Sequence, residues 1–183
     1  MDIRMKTRNG ISVLVLLTAF SASVLAQQPA DFTLQSATDS STFVLSKVKG
    51  KYVALHFLLK TECPYCLRHT HDYMSRASSL PGVVQVFIKP DSEGEIEAWA
   101  EKLPGDQPAG FPVYRDPDAQ LAELFDIPDG YFFHGELVRY PALILIGPDG
   151  KEVFRYVGKN NTDRYSFEQL TAKMTELTKT NPR

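Results

Sequence analysis

Cysteine is scarce in this sequence, since the 183 residues include only two, Cys63 and Cys66. A framework of several disulfides is therefore excluded. One bond across so short a loop would add little stability, because closing a short loop restricts the unfolded chain least. The scarcity thus favours a reactive pair over a structural crosslink.

Other features are absent as well. The sequence contains no run of basic residues, so nothing suggests that the protein binds nucleic acid. It has no internal repeat and no low-complexity linker, which predicts a single domain. Its one long apolar stretch, residues 13–25, is short for a membrane span of about 20 residues.

The amino-terminal segment is typical of a cleaved signal peptide. Arg4, Lys6 and Arg8 precede the apolar stretch, and cleavage is predicted after Ala26. Residues 27–183 are long enough for one domain with its own core. They contain 17 basic and 21 acidic residues once the three basic and one acidic residues of the leader are removed. We expect a periplasmic or secreted protein, in an oxidising compartment, with no stable membrane insertion after cleavage.

The two cysteines form a C-x-x-C motif between a strand-like and a helix-like segment. Pro64 suits the first position of a helix, because its missing N–H would be unpaired there. Cys63 is then predicted to cap the helix. Backbone N–H groups and the helix dipole favour a thiolate at that position and lower cysteine pKa values to about 3.5–7.5. The motif therefore predicts a nucleophilic Cys63 and a resolving Cys66.

Strands are predicted to alternate with helices along the rest of the chain. Alternating and continuous apolar runs predict strands at 31–34, 42–45, 52–59, 83–88, 111–114, 142–146 and 152–157. Helical spacing, with a capping box at Ser92, predicts helices at 64–80, 93–103, 118–125 and 166–177. Residues 127–139 are predicted to be a long connection. The predicted class is α/β, with a mixed central sheet flanked by helices and an N-terminal β-hairpin.

This arrangement resembles the thioredoxin fold, and in particular the redoxin group of thiol:disulfide oxidoreductases and AhpC/TSA-like peroxiredoxins. The specific part is a C-x-x-C at a strand-to-helix junction, followed later by an X-Pro that opens a strand. The resemblance covers most of the mature chain. It rests on the segments 52–59, 63–66, 111–113, 140–143 and 148–151.

The resemblance implies roles for several residues outside the motif. Pro141 is expected to be a cis-proline that faces the dithiol, and Tyr140 to contact the partner. His56 lies near the position where thioredoxins carry a buried acid that handles the proton of the resolving thiol. His56 is thus a candidate proton relay, and a core histidine with a hydrogen-bond partner is the alternative. His69 and His71 are predicted to be solvated helix residues.

The peroxidase branch of the redoxins carries a P-x-x-x-T-x-x-C motif. If Cys66 takes the place of its peroxidatic cysteine, Cys63 replaces the threonine and Leu59 replaces the proline. The arginine of that branch would fall near Pro141, and Arg139 is close to this position but does not align with it. The sequence therefore keeps the scaffold without the peroxide pocket, and thiol peroxidase is an alternative function.

Metal binding is a further alternative. Four side chains near one helix start are of types that bind zinc: Cys63, Cys66, His69 and His71. A copper chaperone of the redoxin fold would use Cys63, Cys66 and His134. Its cysteines are spaced C-x-x-x-C, however, which is one residue longer than the spacing here.

The favoured function is an exported thiol:disulfide oxidoreductase. Cys63 is expected to attack a disulfide, and Cys66 then to release the reduced product. The implied partners are disulfide-containing exported proteins and an upstream electron donor, and no metal or other cofactor is expected. The direction of electron flow does not follow from the sequence.

Overall fold

The structure, a computed structural model, describes residues 29–60, 63–104, 111–133 and 135–180. The predicted signal peptide, residues 1–26, lies outside the described residues. Within the described ranges, no helix is both long enough and apolar enough to cross a membrane.

Nine strands are formed by the described residues. They are β1 (Thr33–Ser36), β2 (Thr42–Val44), β3 (Tyr52–Phe57), β4 (Val83–Lys89), β5 (Val113–Arg115), β6 (Asp129–Phe133), β7 (Glu136–Arg139), β8 (Ala142–Ile146) and β9 (Glu152–Val157). Seven of them make one sheet in the order β2-β1-β5-β4-β3-β8-β9, and β6 pairs with β7 in a separate hairpin. The three central strands, β3, β4 and β5, are parallel, whereas the outer strands pair antiparallel.

Helices cover both faces of this sheet. They are α1 (Pro64–Arg76), α2 (Glu93–Ala100), α3 (Gln120–Leu124) and α4 (Phe167–Thr180). One apolar cluster joins α1, α2 and α4 to one face of the sheet, and a second joins α3 to the other face. The predicted class is therefore confirmed, namely a mixed sheet between helical layers with an N-terminal hairpin.

Three predicted helices are shorter than expected, and the second of them ends at Ala100. The first ends at Arg76 and continues only as a short 3-10 turn, Ala77–Ser79. The third begins at Gln120 because the buried carboxylate of Asp116 accepts hydrogen bonds from the backbone N–H groups of Leu121 (2.8 Å) and Ala122 (3.1 Å). This capping satisfies donors at the start of the helix and so fixes its boundary.

The prediction that residues 127–139 form a long connection is wrong, because they contain the β6–β7 hairpin. Gly135 at its turn has a φ of +81°, in the region that favours glycine. Gly130 allows the two strands to approach, since an added Cβ would lie 2.5 Å from the carbonyl oxygen of Val138. The hairpin returns the chain to Tyr140, at the start of β8.

The expectation that Pro141 is a cis-proline is also wrong. The described residues contain no cis peptide bond, so the bond before Pro141 is trans. The trans form is the more stable one for X-Pro bonds by about 0.5–1 kcal/mol. Here the Pro141 carbonyl accepts a hydrogen bond from the N–H of Gly158 (2.8 Å), which ties the start of β8 to the end of β9.

Candidate active site

Cys63 lies just beyond the carboxyl end of the central strand β3 and caps the first helix. Its backbone is extended (φ −102°, ψ 106°), α1 begins at Pro64, and the Cys63 sulfur accepts a hydrogen bond from the N–H of Cys66 (3.3 Å). Proline at the helix start and a cysteine at the cap place the first sulfur at the positive end of the helix dipole. Both cysteines are free thiols.

Arg164 contacts both sulfurs. One terminal nitrogen, Nη2, lies 3.4 Å from Cys63 Sγ and 3.1 Å from Cys66 Sγ, and it also donates to the carbonyl of Asn161 (3.3 Å). A guanidinium is always charged, so it adds a full positive charge at the pair. Sequence reasoning missed Arg164, because it lies in a loop 98 residues beyond Cys66 and belongs to no recognisable motif.

A tightly bonded loop between β9 and α4 positions Arg164. The Asp163 carboxylate accepts hydrogen bonds from the Tyr156 hydroxyl and from the N–H of Lys159 (2.9 Å). The Tyr165 carbonyl accepts one from the hydroxyl of Tyr73, on α1 (2.8 Å). Both neighbours of Arg164 are therefore fixed.

Gly158 allows the same loop to close against β9. A Cβ added there would collide with the carbonyl oxygen of Asp163 and would lie 2.9 Å from Pro141 Cγ. A side chain at this position would therefore push apart the segments that hold Arg164 and Pro141.

The environments of the two thiols differ strongly. The pKa of Cys63 is lowered to about 5, first by a hydrogen bond from the Cys66 thiol and then by the charge of Arg164, against the effect of burial. Burial, followed by the hydrogen bond to Cys63, raises the pKa of Cys66 well above its ordinary value. Cys63 keeps 7 % exposure and Cys66 has none. At neutral pH the pair is thus a thiolate with a small exposed area beside a fully buried thiol.

His56 is fully buried, and both of its ring nitrogens are engaged. Nδ1 lies 3.0 Å from His69 Nε2, and Nε2 lies 2.8 Å from Gln85 Oε1. Burial lowers the pKa of His56 to about 4 and holds that of His69 well below its usual range. Both rings are therefore neutral at neutral pH.

The orientation of the Gln85 side-chain amide determines which ring nitrogens of His56 and His69 carry a proton. The carbonyl oxygen of Gln85 can only accept, so His56 carries its proton on Nε2 and accepts at Nδ1 from His69 Nε2–H. That leaves Nδ1 of His69 as an unprotonated acceptor. The prediction that His69 is a solvated residue is wrong, because its ring is half-buried against His56 and Tyr73.

Pro141 and Tyr140 lie at the edge of this site. Pro141 lines a cavity of about 10 Å³ together with His69 and Arg164. The N–H of Tyr140 donates to the carbonyl of Pro128 over 3.4 Å, so this backbone group already has a partner from the protein itself.

The β6–β7 hairpin forms one wall beside the dithiol. Tyr131 is half-buried there, and its pKa is raised by burial first and then by the Cys63 and Cys66 sulfurs. Its neighbour Phe132 is 75 % exposed. A cleft of about 300 Å³ opens between this hairpin, the end of β3 and α3, and Lys60 and Tyr140 are among its lining residues.

The metal alternatives receive no support from the described residues, in which no group of three or more His, Cys, Asp or Glu side chains could hold an ion. His134 lies outside the described residues, so the copper alternative stays a prediction. Arg139 does not reach the sulfurs as a peroxidase arginine would, since it donates to the Ile127 carbonyl (2.6 Å) and pairs with Asp129 (3.4 Å).

The central parallel strands, the capped helix after β3 and the cysteine pair at its start define a thioredoxin-fold redox protein. Within that class, the chain belongs to the AhpC/TSA family, whose model matches residues 25–153. The resemblance drawn from the sequence is therefore confirmed. A search of curated proteins gives no significant sequence match.

Solved structures with the same fold include peroxiredoxins and a thioredoxin. Peroxiredoxin 6 of Arenicola marina superposes with a TM-score of 0.73 at 18% identity, over 88% of this chain and 76% of that one. The Xanthomonas campestris bacterioferritin comigratory protein gives 0.65 at 18% identity, over 79% and 91%. The pneumococcal exposed lipoprotein thioredoxin Etrx1 of Streptococcus pneumoniae gives 0.61 at 25% identity, over 80% and 99%.

Proposed function

We propose that the protein is an exported thiol:disulfide oxidoreductase that reduces or exchanges disulfides in exported proteins. The observation that carries this proposal is the unequal pair of thiols, since the pKa of Cys63 is lowered to about 5 and its side chain keeps 7 % exposure, whereas Cys66 has a raised pKa and no exposure. Disulfide exchange needs a nucleophilic thiolate and a second thiol that resolves the mixed disulfide. The AhpC/TSA membership and the likeness to Etrx1 support the same class of chemistry.

In the reductive direction the reaction has two steps. The Cys63 thiolate attacks one sulfur of the substrate disulfide, which breaks that bond and releases the other substrate sulfur as a thiolate. Cys66 then loses its proton and attacks Cys63, which closes the protein disulfide and releases the second substrate thiol. Two electrons pass from the dithiol to the substrate, and an upstream electron donor restores the dithiol.

The substrate is placed on the side of Tyr140 and Pro141 in this proposal. Pro141 adjoins Arg164, and Tyr140 lines the cleft that opens beside the site. Because the Tyr140 N–H donates to Pro128, we expect the Tyr140 side chain and the exposed Phe132 ring to contact the partner. Apolar and aromatic groups of this kind are common at the centres of protein interfaces.

His56 is assigned here as a positioning residue that acts through His69. The raised pKa of Cys66 means that its proton must be removed in the second step. His69 lies three residues after Cys66 on α1, so the two side chains share a helix face. We propose its unprotonated Nδ1 as the acceptor for that proton after the mixed disulfide has formed, because the mixed disulfide removes the Cys63 thiolate that helps to raise the pKa of Cys66.

This assignment predicts a defect confined to the second step. His69→Phe keeps a ring against Tyr73 but removes the acceptor, so we expect the mixed disulfide to persist at least roughly tenfold longer. Rapid quenching followed by mass spectrometry measures its lifetime, and His71→Asn, two residues further on, is the matched control. An unchanged lifetime in His69→Phe would refute the role.

The test of the proposed function is to trap the intermediate. Reduced Cys66→Ser, mixed with insulin, should accumulate a covalent adduct through Cys63 that dithiothreitol dissolves. Cys63→Ser should form none, because its remaining thiol is buried and protonated. The adduct is read by intact mass under non-reducing conditions.

Thiol peroxidase is the competing function, favoured by the family and by the peroxiredoxin structures that share the fold. The buried, protonated Cys66 is poorly suited to act as a peroxidatic thiol, which needs to be ionised and accessible. If Cys66→Ser gives no insulin adduct while the wild-type dithiol consumes hydrogen peroxide rapidly, the peroxidase replaces the oxidoreductase.

A further inference from the structure

The cysteine pair loses its negative charge when it is oxidised, and Arg164 lies where that loss changes its own interactions. In the reduced protein its Nη2 contacts both sulfurs, at 3.4 Å and 3.1 Å. A disulfide carries no charge and only weak acceptor capacity, so closing the bond removes the anion from this contact. Hydrogen bonds to charged groups are stronger than those between neutral groups, so Arg164 interacts more weakly with the oxidised pair.

No other anion compensates for that loss within the part of the chain described. Among the described residues, the hydrogen bonds of Arg164 go only to the two sulfurs and to the Asn161 carbonyl. Its Nε is buried and has no hydrogen-bond partner. A half-buried guanidinium without a counter-charge is unfavourable, because its desolvation is no longer offset. The oxidised form therefore bears a cost that the reduced form avoids.

We propose that Arg164 makes the reduced dithiol the favoured state, so that the Cys63–Cys66 disulfide works as an oxidant that introduces disulfides into substrate polypeptides. This inference rests on the proposed function and gives its direction. The same relation between a stabilised reduced form and oxidising strength holds for thiol oxidoreductases in general. A Cys63 pKa of about 5 is in keeping with it.

The oxidative reaction balances without a further reactant. A substrate thiolate attacks the Cys63 sulfur, the Cys63–Cys66 bond breaks, and Cys66 takes up a proton. A second substrate thiolate attacks the substrate sulfur of the mixed disulfide and releases Cys63 as a thiolate beside Arg164. The substrate dithiol loses two electrons, and the protein disulfide gains them.

The experiment is a redox titration against mixtures of reduced and oxidised glutathione at neutral pH, with thioredoxin in parallel. The reduced fraction is measured by mass spectrometry after acid quenching and alkylation. We expect the wild type to remain reduced in mixtures that oxidise thioredoxin. Arg164→Gln should shift the equilibrium constant at least about tenfold toward the disulfide, equivalent to about 30 mV.

Matched variants make the outcome specific. Arg164→Lys keeps the charge but not the planar donors and should shift the equilibrium less. Arg155→Gln, which removes a cation that pairs with Glu152 and donates to the Phe125 carbonyl on the other face of the sheet, should leave it unchanged. If Arg164→Gln does not fold, Arg164→Lys still tests the proposal. A second test compares melting temperatures, and the reduced wild type should melt at a higher temperature than the oxidised wild type.

Two failures can be told apart. The oxidant assignment is overturned if the wild type exchanges with glutathione but has a reduction potential equal to or lower than that of thioredoxin. It is also overturned if Arg164→Gln has the same reduction potential as the wild type. In both cases the oxidoreductase assignment survives. If the wild-type cysteines do not exchange with glutathione at all, both proposals fail.

Discussion

Cys63→Ser should lower insulin reduction at least about 1,000-fold, because a serine hydroxyl cannot attack a disulfide and the buried Cys66 cannot replace it. The variant should fold, since serine is among the best residues at a helix cap and keeps the acceptor for the Cys66 N–H. The loss is measured as turnover with dithiothreitol as the reductant, beside a thermal melt that shows the fold is intact.

The pH dependence of alkylation gives an independent check on the same residue. In the reduced wild type, iodoacetamide should label Cys63 alone, with a rate that is flat near neutral pH and falls as the pH drops through about 5. The sign follows from a lowered pKa, since the reactive thiolate is lost only below that value. Equal labelling of Cys66, or a midpoint near that of a free thiol, would contradict the assignment.

Lys89→Met should destabilise the protein by about 3–5 kcal/mol, the usual result of removing one partner of a buried ion pair. The Lys89 ammonium is fully buried, lies 3.1 Å from the buried Asp91 carboxylate, and donates to the Leu59 carbonyl (2.7 Å). Its loss leaves the carboxylate in the core without that cation. Urea unfolding of the reduced protein measures the change.

The double variant Lys89→Met/Asp91→Asn is the control for this prediction. Removing both charges should restore a large part of the loss, so the two single changes should not add. A cost below about 1 kcal/mol for Lys89→Met would show that the pair contributes little. Because Leu59 lies four residues before Cys63, we expect Lys89→Met also to disturb the dithiol.

The part of this site that is local in sequence could be predicted. The scarcity of cysteine, the C-x-x-C spacing and Pro64 together place a capped helix after a buried strand, and the structure has both. Apolar patterns likewise predicted the strands of the large sheet, because a central strand covered on both faces needs a continuous apolar run. Boundaries moved where a distant side chain intervened, as Asp116 does at the start of α3.

The part that depends on tertiary contacts could not be predicted. Arg164 reaches the sulfurs only because β9 and α4 bring its loop beside α1, and a single arginine in a polar loop carries no periodic signal. The burial of His69 could not be predicted for the same reason, since its partner His56 lies on a strand 13 residues earlier. The β6–β7 hairpin is absent from the prediction, which treats residues 127–139 as one long connection, because no Asn-Gly or Asp-Gly pair marks the turn at Gly135.

Gly158, which follows the last residue of β9, provides a sequence pattern by which an arginine equivalent to Arg164 can be identified in other proteins. Because no side chain fits at Gly158, and because Asp163 must fold back against it, the two residues and Arg164 stand in a fixed G-x-x-x-x-D-R spacing. This pattern can be searched for after the last strand of any thioredoxin-fold chain. Where it occurs with C-x-x-C, a cation at the dithiol can be expected before a structure is known, and a chain with alanine at the glycine position is expected to have lost it.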